Sequence, residues 1–229
     1  MKMVVIATNN KNKVREFKSI LDSDKIEFKT LSEIGYDKEI VEDGKTFKEN
    51  AIIKAKTIAL ELNTIAISDD SGLECLGLNN EPGIYSARYA GTHNDDDNNK
   101  LLIKNLKNVS DRRARYVCAI CVYNPNGEYR VVEGVVDGEI IDTPRGENGF
   151  GYDPYFYIEE WGKTFAEVPL DVKNEISHRS KALKKMKELI NEDFSFKWFS
   201  WKKIRFKYKW LWFNYSLWRL WWIIWLFNK

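Results

Sequence analysis

Short apolar runs alternate with helical stripes through the first third of the chain, and this alternation restricts the fold more than any other property. Lys2 to Thr8, Ile26 to Leu31 and Thr64 to Ser68 have the length and composition of buried strands. Between the first two, Lys11 to Leu21 carries an apolar stripe of Val14, Phe17, Ile20 and Leu21, so it reads as a helix. A second helix is predicted from about Phe47 to Leu62, because Thr46-Phe-Lys-Glu49 has the spacing of a capping box. Asn50 and Lys54 then fall one turn apart on one side of it. Farther on, Asp95 to Asn108 reads as a helix, and Ala114 to Tyr123 with Tyr129 to Val136 as a hairpin around Asn124-Pro-Asn-Gly127. A Gly-rich loop, Gly146 to Gly151, precedes a short strand near Tyr155, and Ile176 to Leu189 closes the series as a Lys-rich amphipathic helix. The expected fold is α/β: a mixed, largely twisted sheet with flanking helices and one β-hairpin.

The 229 residues suffice for one domain with a real core, but they divide into two unlike parts. Eight of the nine Trp lie after residue 194, and residues 195–229 hold eight Lys or Arg and no acid. Without those eight, the formal charge of +2 becomes about −6. The remaining body therefore lacks the net basic face that nucleic-acid binding needs, and a small polyanion is easier to accommodate. Residues 1–191 are expected to form the catalytic domain, with 195–229 an aromatic and basic tail. A membrane span needs ~20 consecutive apolar residues, whereas Arg219 splits the tail into uncharged runs of nine on either side. Aromatic and basic residues suit an interfacial anchor. The loss of every acid suits a read-through or frame-shifted coding end better, so membrane contact is not the favoured reading.

Cys75, Cys118 and Cys121 make no disulfide framework, and Met-Lys-Met-Val-Val-Ile is too quickly polar for a secretory signal. A reducing cytoplasmic setting is expected. Cys118 and Cys121 sit three apart in a strand and point to opposite faces, which favours core thiols over a zinc or redox pair.

Chemistry is concentrated in Ser68-Asp69-Asp70-Ser71-Gly72, read as the end of a buried strand. Paired carboxylates there suit a hard cation such as Mg²⁺, which prefers oxygen and keeps waters for a phosphate and a nucleophile. Thr8-Asn-Asn-Lys-Asn-Lys13 turns a strand into a helix and forms an anion cradle without the usual glycines, although a solvated polar loop explains the same residues. Asp95-Asp-Asp97 is better read as acids opening a helix than as a second cation site. His93 lies in the polar loop 91–99 and is given no catalytic role.

Taken together, residues 4–183 resemble the inosine triphosphate pyrophosphatase family. The matching segments are Ala7-Thr-Asn-Asn-Lys-Asn-Lys-Val-Arg-Glu-Phe17, Glu42-Asp-Gly-Lys-Thr-Phe-Lys-Glu-Asn-Ala51, Asp69-Asp-Ser-Gly72, Pro82-Gly-Ile-Tyr-Ser-Ala-Arg-Tyr-Ala-Gly91, Gly149-Phe-Gly-Tyr-Asp-Pro154 and Lys173-Asn-Glu-Ile-Ser-His-Arg179. Six motifs in the family's order make chance resemblance untenable. The resemblance implies a cytoplasmic homodimer whose subunit is an elongated, two-lobed single domain with its active-site cleft between the lobes. It also implies a Mg²⁺-dependent hydrolase that splits purine nucleoside triphosphates such as ITP, dITP and XTP between the α and β phosphates.

Residue by residue, the resemblance places the triphosphate on Thr8, Asn9, Asn10, Lys11, Asn12 and Lys13, with Lys54 and Ser71 beside it. It places Mg²⁺ on Glu42 and Asp70 and makes Asp70 the catalytic acceptor that orients or deprotonates water. Asp69 is read as support for Asp70, with a turn cap as the alternative. Phe150, Gly151, Tyr152, Asp153, Lys173, His178 and Arg179 are the implied base site. An aromatic face stacks on a purine there, and His178 and Arg179 donate to a 6-keto oxygen. Adenine presents an amino donor at that edge, so donor faces donor at a cost of ~1–3 kcal/mol per unpaired group. Two rivals stay open: a related pyrophosphatase acting on other modified nucleotides, and a non-enzymatic membrane-associated protein acting through its tail.

Overall fold

The computed structural model describes residues 2–21 and 26–194, and the tail expectations fall outside them. Chain order is β1 (Lys2–Ile6), α1 (Lys11–Leu21), β2 (Ile26–Thr30), α2 (Phe47–Leu62), β3 (Ile65–Cys75) and β4 (Glu81–Pro82). Next come α3 (Asp95–Leu106), β5 (Arg113–Tyr123), β6 (Tyr129–Ile140), β7 (Phe156–Ile158), β8 (Lys163–Thr164), α4 (Leu170–Ile176) and α5 (His178–Phe194). The strands form one mixed sheet in the order β2-β1-β3-β5-β6-β7-β8, with β4 paired to β3. β1 runs parallel to both β2 and β3, and the β3–β5–β6 centre is antiparallel. The mixed α/β fold read from the sequence is the observed one.

Local chemistry sets the element ends. Thr46 accepts the Glu49 N–H at 3.1 Å, as a capping box requires, but the Glu49 carboxylate reaches back to the Lys45 N–H at 2.6 Å. In α1 the buried stripe is Phe17 and Leu21, and the residue before Phe17, Glu16, is buried as well, an acid the stripe did not predict. Gly127, at φ 96°, closes the β5–β6 hairpin at the expected turn.

Two readings are corrected. The acid pair does not end a strand: β3 continues through it to Cys75, paired with β5 from Ala66↔Tyr123 to Cys75↔Ala114. The closing helix, α5, starts at His178 rather than Ile176, and a short helix that the sequence did not suggest, α4, precedes it and is stopped by the extended backbone of Ser177 (φ −63°, ψ 159°). The Ser177 Oγ accepts the Ser180 N–H at 3.1 Å and caps α5.

Residues up to Lys187 form one compact unit, and a second unit begins at Glu188, inside α5, a few residues before the domain end expected at 191. Two of the buried clusters of the first unit lie at opposite ends of the long strands and on opposite faces of the sheet, while other buried residues, among them Ile6, Phe17, Ile67, Ile120, Leu183 and Met186, belong to neither. The first packs Phe47, Ala51, Ala55 and Ile58 of α2 on Ala66, Ala119 and Cys121. The second joins Leu73, Tyr116, Ile140, Tyr152, Phe156 and Phe165 with Leu102 and Leu106 of α3. Asp69 and Asp70 lie midway between them. Cys118 and Cys121 are buried free thiols pointing to opposite faces, with burial pushing the Cys121 thiol up to about 12.

Candidate active site

Successive residues of a strand point to opposite faces, and this alone separates the two acids. Asp70 faces α2, as does Ser68, whose hydroxyl donates to the Ala51 carbonyl. Asp69 faces the other way, as does Ser71.

On the α2 face, Lys54 Nζ lies 2.6 Å from Glu42 Oε2 and 3.1 Å from Asp70 Oδ1. Asn50, one turn earlier, donates its Nδ2 to Asp70 Oδ2 at 3.1 Å and accepts the Gly44 N–H on its Oδ1 at 2.9 Å. One buried amide thus ties the Glu42 loop to Asp70, and Asn50 and Lys54 together hold the carboxylate on both oxygens. Gly44 is required for this approach, because a Cβ there would stand 2.6 Å from Asn50 Oδ1. Burial works to lower the Lys54 pKa, but Asp70, Asp69 and Glu42 outweigh it and hold the ammonium charged.

On the opposite face, fully buried Asp69 takes Lys13 Nζ at 2.9 Å and Arg179 Nε at 3.2 Å. Arg179 also donates to Glu16 Oε2 and to Ser71 Oγ, each at 2.9 Å. This explains the buried Glu16. Burial would raise the Asp69 carboxyl, yet Lys13, Arg179 and Lys54 hold it well below the usual carboxylate range. Among the described residues, three of the five guanidinium N–H bonds of Arg179 meet acceptors, leaving one each on Nη1 and Nη2.

Loop 149–153 closes the far end. Gly149 and Gly151 have φ of 86° and 64°, a region that favours glycine. The Asp153 carboxylate accepts the Phe150 N–H at 2.8 Å and pairs with buried Lys173, whose ammonium also stands 5.0 Å from the Phe150 ring centroid. Phe150 is 38% exposed and offers a face to a ligand. Tyr152 is buried, with its hydroxyl donating to the Ser86 carbonyl at 2.8 Å, so its ring belongs to the core. His178 stacks on Tyr116, with ring centroids 4.8 Å apart and planes at 8°. Its Nδ1 is buried without a partner. Burial, with Arg179 and Lys173 nearby, drives its pKa well below 6.5 and keeps the imidazole neutral. α5 reaches this position because β6 has Gly134 beneath it; a Cβ there would meet the His178 carbonyl at 2.0 Å.

These groups share one cleft of about 610 Å³, lined from Thr8, Asn9, Asn10 and Lys13 through Glu42, Lys54 and Asp70 to Phe150, Lys173, His178 and Arg179. Two predicted residues are not brought in. Lys11 and Asn12 are exposed and outside the lining, and Asn12 receives Arg15 instead. The cradle is also partly filled by the chain itself, since Asn10 Oδ1 accepts the N–H groups of Asn12 and Lys13 at 3.0 and 3.2 Å. Arg88, His93 and Asp95 also line the cleft, none of them among the expected site residues.

Residues 4–189, which carry every element of this cleft, match the Ham1 family. The chain belongs to the Ham1 family. It is 50% identical over 195 residues to a dITP/XTP pyrophosphatase of Bacillus licheniformis, covering 84% of this chain and all of the relative. A Bacillus subtilis protein of the same name is 49% identical over 83% of this chain and 98% of its own. Among solved structures, the Staphylococcus aureus Ham1 protein superposes with a TM-score of 0.79 at 44% identity, over 84% of this chain and 100% of that one. A HAM1 protein from Coxiella burnetii gives 0.80 at 39%, with the same coverage.

Within this Ham1 fold, the residues that sequence reasoning missed are those that hold others in place. Asn50 was seen to share a side with Lys54, and that spacing was the available signal for its role. Glu16 and Tyr116 had none, because their partners Arg179 and His178 lie far along the chain and meet them only through the sheet.

The donor set fits a hard divalent cation. Glu42 and Asp70 direct carboxylate oxygens at one point, marked by the Lys54 ammonium. Among the described residues no group of three His, Cys, Asp or Glu could supply more ligands. Two carboxylates, with waters and phosphate oxygens completing the shell, is the pattern typical of Mg²⁺.

Proposed function

We propose that the chain hydrolyses ITP, dITP and XTP to the monophosphate and pyrophosphate, with Mg²⁺ held by Glu42 and Asp70. The observation that carries this reading is that a two-carboxylate, one-lysine centre and a loop with an exposed aromatic face occupy the two ends of one cleft. The names of the Bacillus relatives support the same substrates.

A divalent cation held by Glu42 and Asp70 would neutralise phosphate charge and lower the pKa of nearby water. Asp70, held on both oxygens by Lys54 and Asn50, orients an attacking water and takes its proton as oxygen adds to the α-phosphorus. The bond to the oxygen bridging the α and β phosphates breaks, and pyrophosphate leaves. Lys54 and Lys13 neutralise the triphosphate, the second kept in place by Asp69. Phe150 stacks on the purine, and neutral His178, which lines the cleft, turns a ring N–H toward the 6-keto edge. Lys173 and the two spare N–H bonds of Arg179 add donors. An adenine amino group there would face donors and leave them unpaired. The homodimer and the cytoplasmic setting belong to the same proposal and rest on the resemblance.

The test is a pyrophosphate-release assay on the full chain with ITP, dITP, XTP, GTP, ATP and modified pyrimidine triphosphates, with Mg²⁺ and with chelator. The expected result is pyrophosphate, not orthophosphate, released fastest from the 6-keto purines other than guanine and only with metal. Preference for a modified pyrimidine would move the chain to the rival pyrophosphatase reading. No turnover of any triphosphate would remove the enzyme reading.

A further inference from the structure

Three acids open α3, and the cleft chemistry above gives them no role. One of them, Asp95, accepts the Gly151 N–H on its Oδ2 at 2.8 Å. One turn later, Asn99 donates its Nδ2 to the Gly151 carbonyl at 2.9 Å. Both polar groups flanking Gly151 are thus held by one helix, from two residues on the same side of it.

That hold answers a physical need. With two glycines at positive φ and no side chain at either to pack, loop 149–153 has little of its own to fix Phe150. Asp153 secures the Phe150 N–H from one side. The α3 pair secures the next residue from the other.

The helix itself is well anchored. Asn94 caps it by accepting the Asp97 N–H at 3.0 Å. Asn98 accepts the Ala90 N–H at 2.8 Å and donates to the Ala87 carbonyl at 3.3 Å. Leu102 and Leu106 are buried in the same core as Tyr152.

We infer that Asp95 and Asn99 are positioning residues that hold the Gly151 peptide and thereby place the Phe150 face for base recognition. The inference rests on the proposed base site and adds the groups that set its geometry. Asp95 acts as a hydrogen-bond acceptor here, and its charge is secondary, because Asp96 and Asp97 in the same turn already complement the helix end.

The experiment compares the full-length wild type with Asp95→Ala, Asp95→Asn and Asn99→Leu, measuring kcat and KM on ITP and ATP and inhibition by inorganic tripolyphosphate. Asp95→Ala should raise KM for ITP by up to about tenfold, the scale of one lost hydrogen bond. The ITP-over-ATP preference should shrink while tripolyphosphate inhibition stays within about twofold, since that probe has no base. Asp95→Asn, which keeps an acceptor, should restore most of the preference, and Asn99→Leu should mimic Asp95→Ala. If Asp95→Ala keeps both KM and preference, or if Asp95→Asn is as impaired as Asp95→Ala, the inference is overturned. A thermal melt accompanies each variant: with Asp95→Ala still folded, weakened tripolyphosphate inhibition would also count against it. Should wild type show no preference for ITP over ATP, the base-site reading itself fails, an outcome distinct from failure of the clamp.

Discussion

At the carboxylate end of the cleft every charged side chain grows from a regular element or is tied to one, whereas at the loop end a glycine-rich turn carries Phe150 and Asp153. Lys13 comes from α1, Lys54 from α2, and Asp69 and Asp70 from the middle of a strand paired along its whole length. The loop end depends instead on groups borrowed from α3, α4, α5 and β5. The difference teaches where each kind of precision comes from. Charge is placed by backbone pairing; shape is placed by side-chain contacts that close late in the chain.

Arg179 belongs to both ends, and removing it should have the largest effect. Arg179→Ala leaves Asp69 and Glu16 buried with one fewer partner each, at a cost of ~3–5 kcal/mol. Denaturant unfolding measures it; a loss under ~0.5 kcal/mol with altered substrate preference would make Arg179 a ligand group only and collapse the distinction. Next, Asp70→Asn should lower kcat by ~10²-fold or more with the fold intact, because the proposed mechanism uses Asp70 both as base and as metal ligand. A variant keeping over about a tenth of the wild-type rate would take Asp70 out of the chemistry.

Gly134→Ala probes the loop end from beneath. Its new Cβ would stand 2.0 Å from the His178 carbonyl, and overpacking of this kind costs ~1–3 kcal/mol. The expected result is a lowered Tm together with weaker base preference; a lowered Tm with preference unchanged would detach His178 from recognition.

The smallest effect is one of pH. His178 has its folded pKa depressed by burial and by Arg179 and Lys173, with Asp69 opposing. An unfolded chain takes up the proton near pH 6.5 and the folded chain does not, so stability should fall by up to ~1.4 kcal/mol per unit below about pH 6.5. Unfolding free energies at pH 7 and 5.5 measure the slope. His178→Gln should flatten it, and an unchanged slope would assign the titration elsewhere.

The sequence made α1 and α2 readable because their ends are local events, a stripe in one and a Thr46 cap in the other. It made the acid pair conspicuous but hid its place, since Ser68-Asp-Asp-Ser-Gly72 looks polar and terminal although β5 pairs with every residue of it. α4 was hidden because it is only seven residues long and is separated from α5 by the single residue Ser177, too short a stretch for an apolar period to show. What could not be read at all was the commitment of Arg179, because Glu16 and Asp69 are brought to it by tertiary pairing alone.

The alternation along β3 makes chain length, as well as residue type, a condition of activity. Inserting or deleting one residue between Ile65 and Ser68 would keep both aspartates in the sequence yet turn each toward the other's face. Asp70, the proposed acceptor of the water proton, would be turned toward Lys13 and Arg179, and Asp69 would stand opposite Lys54. A polymorphism of that kind would be invisible to a search for the motif and fatal to the enzyme.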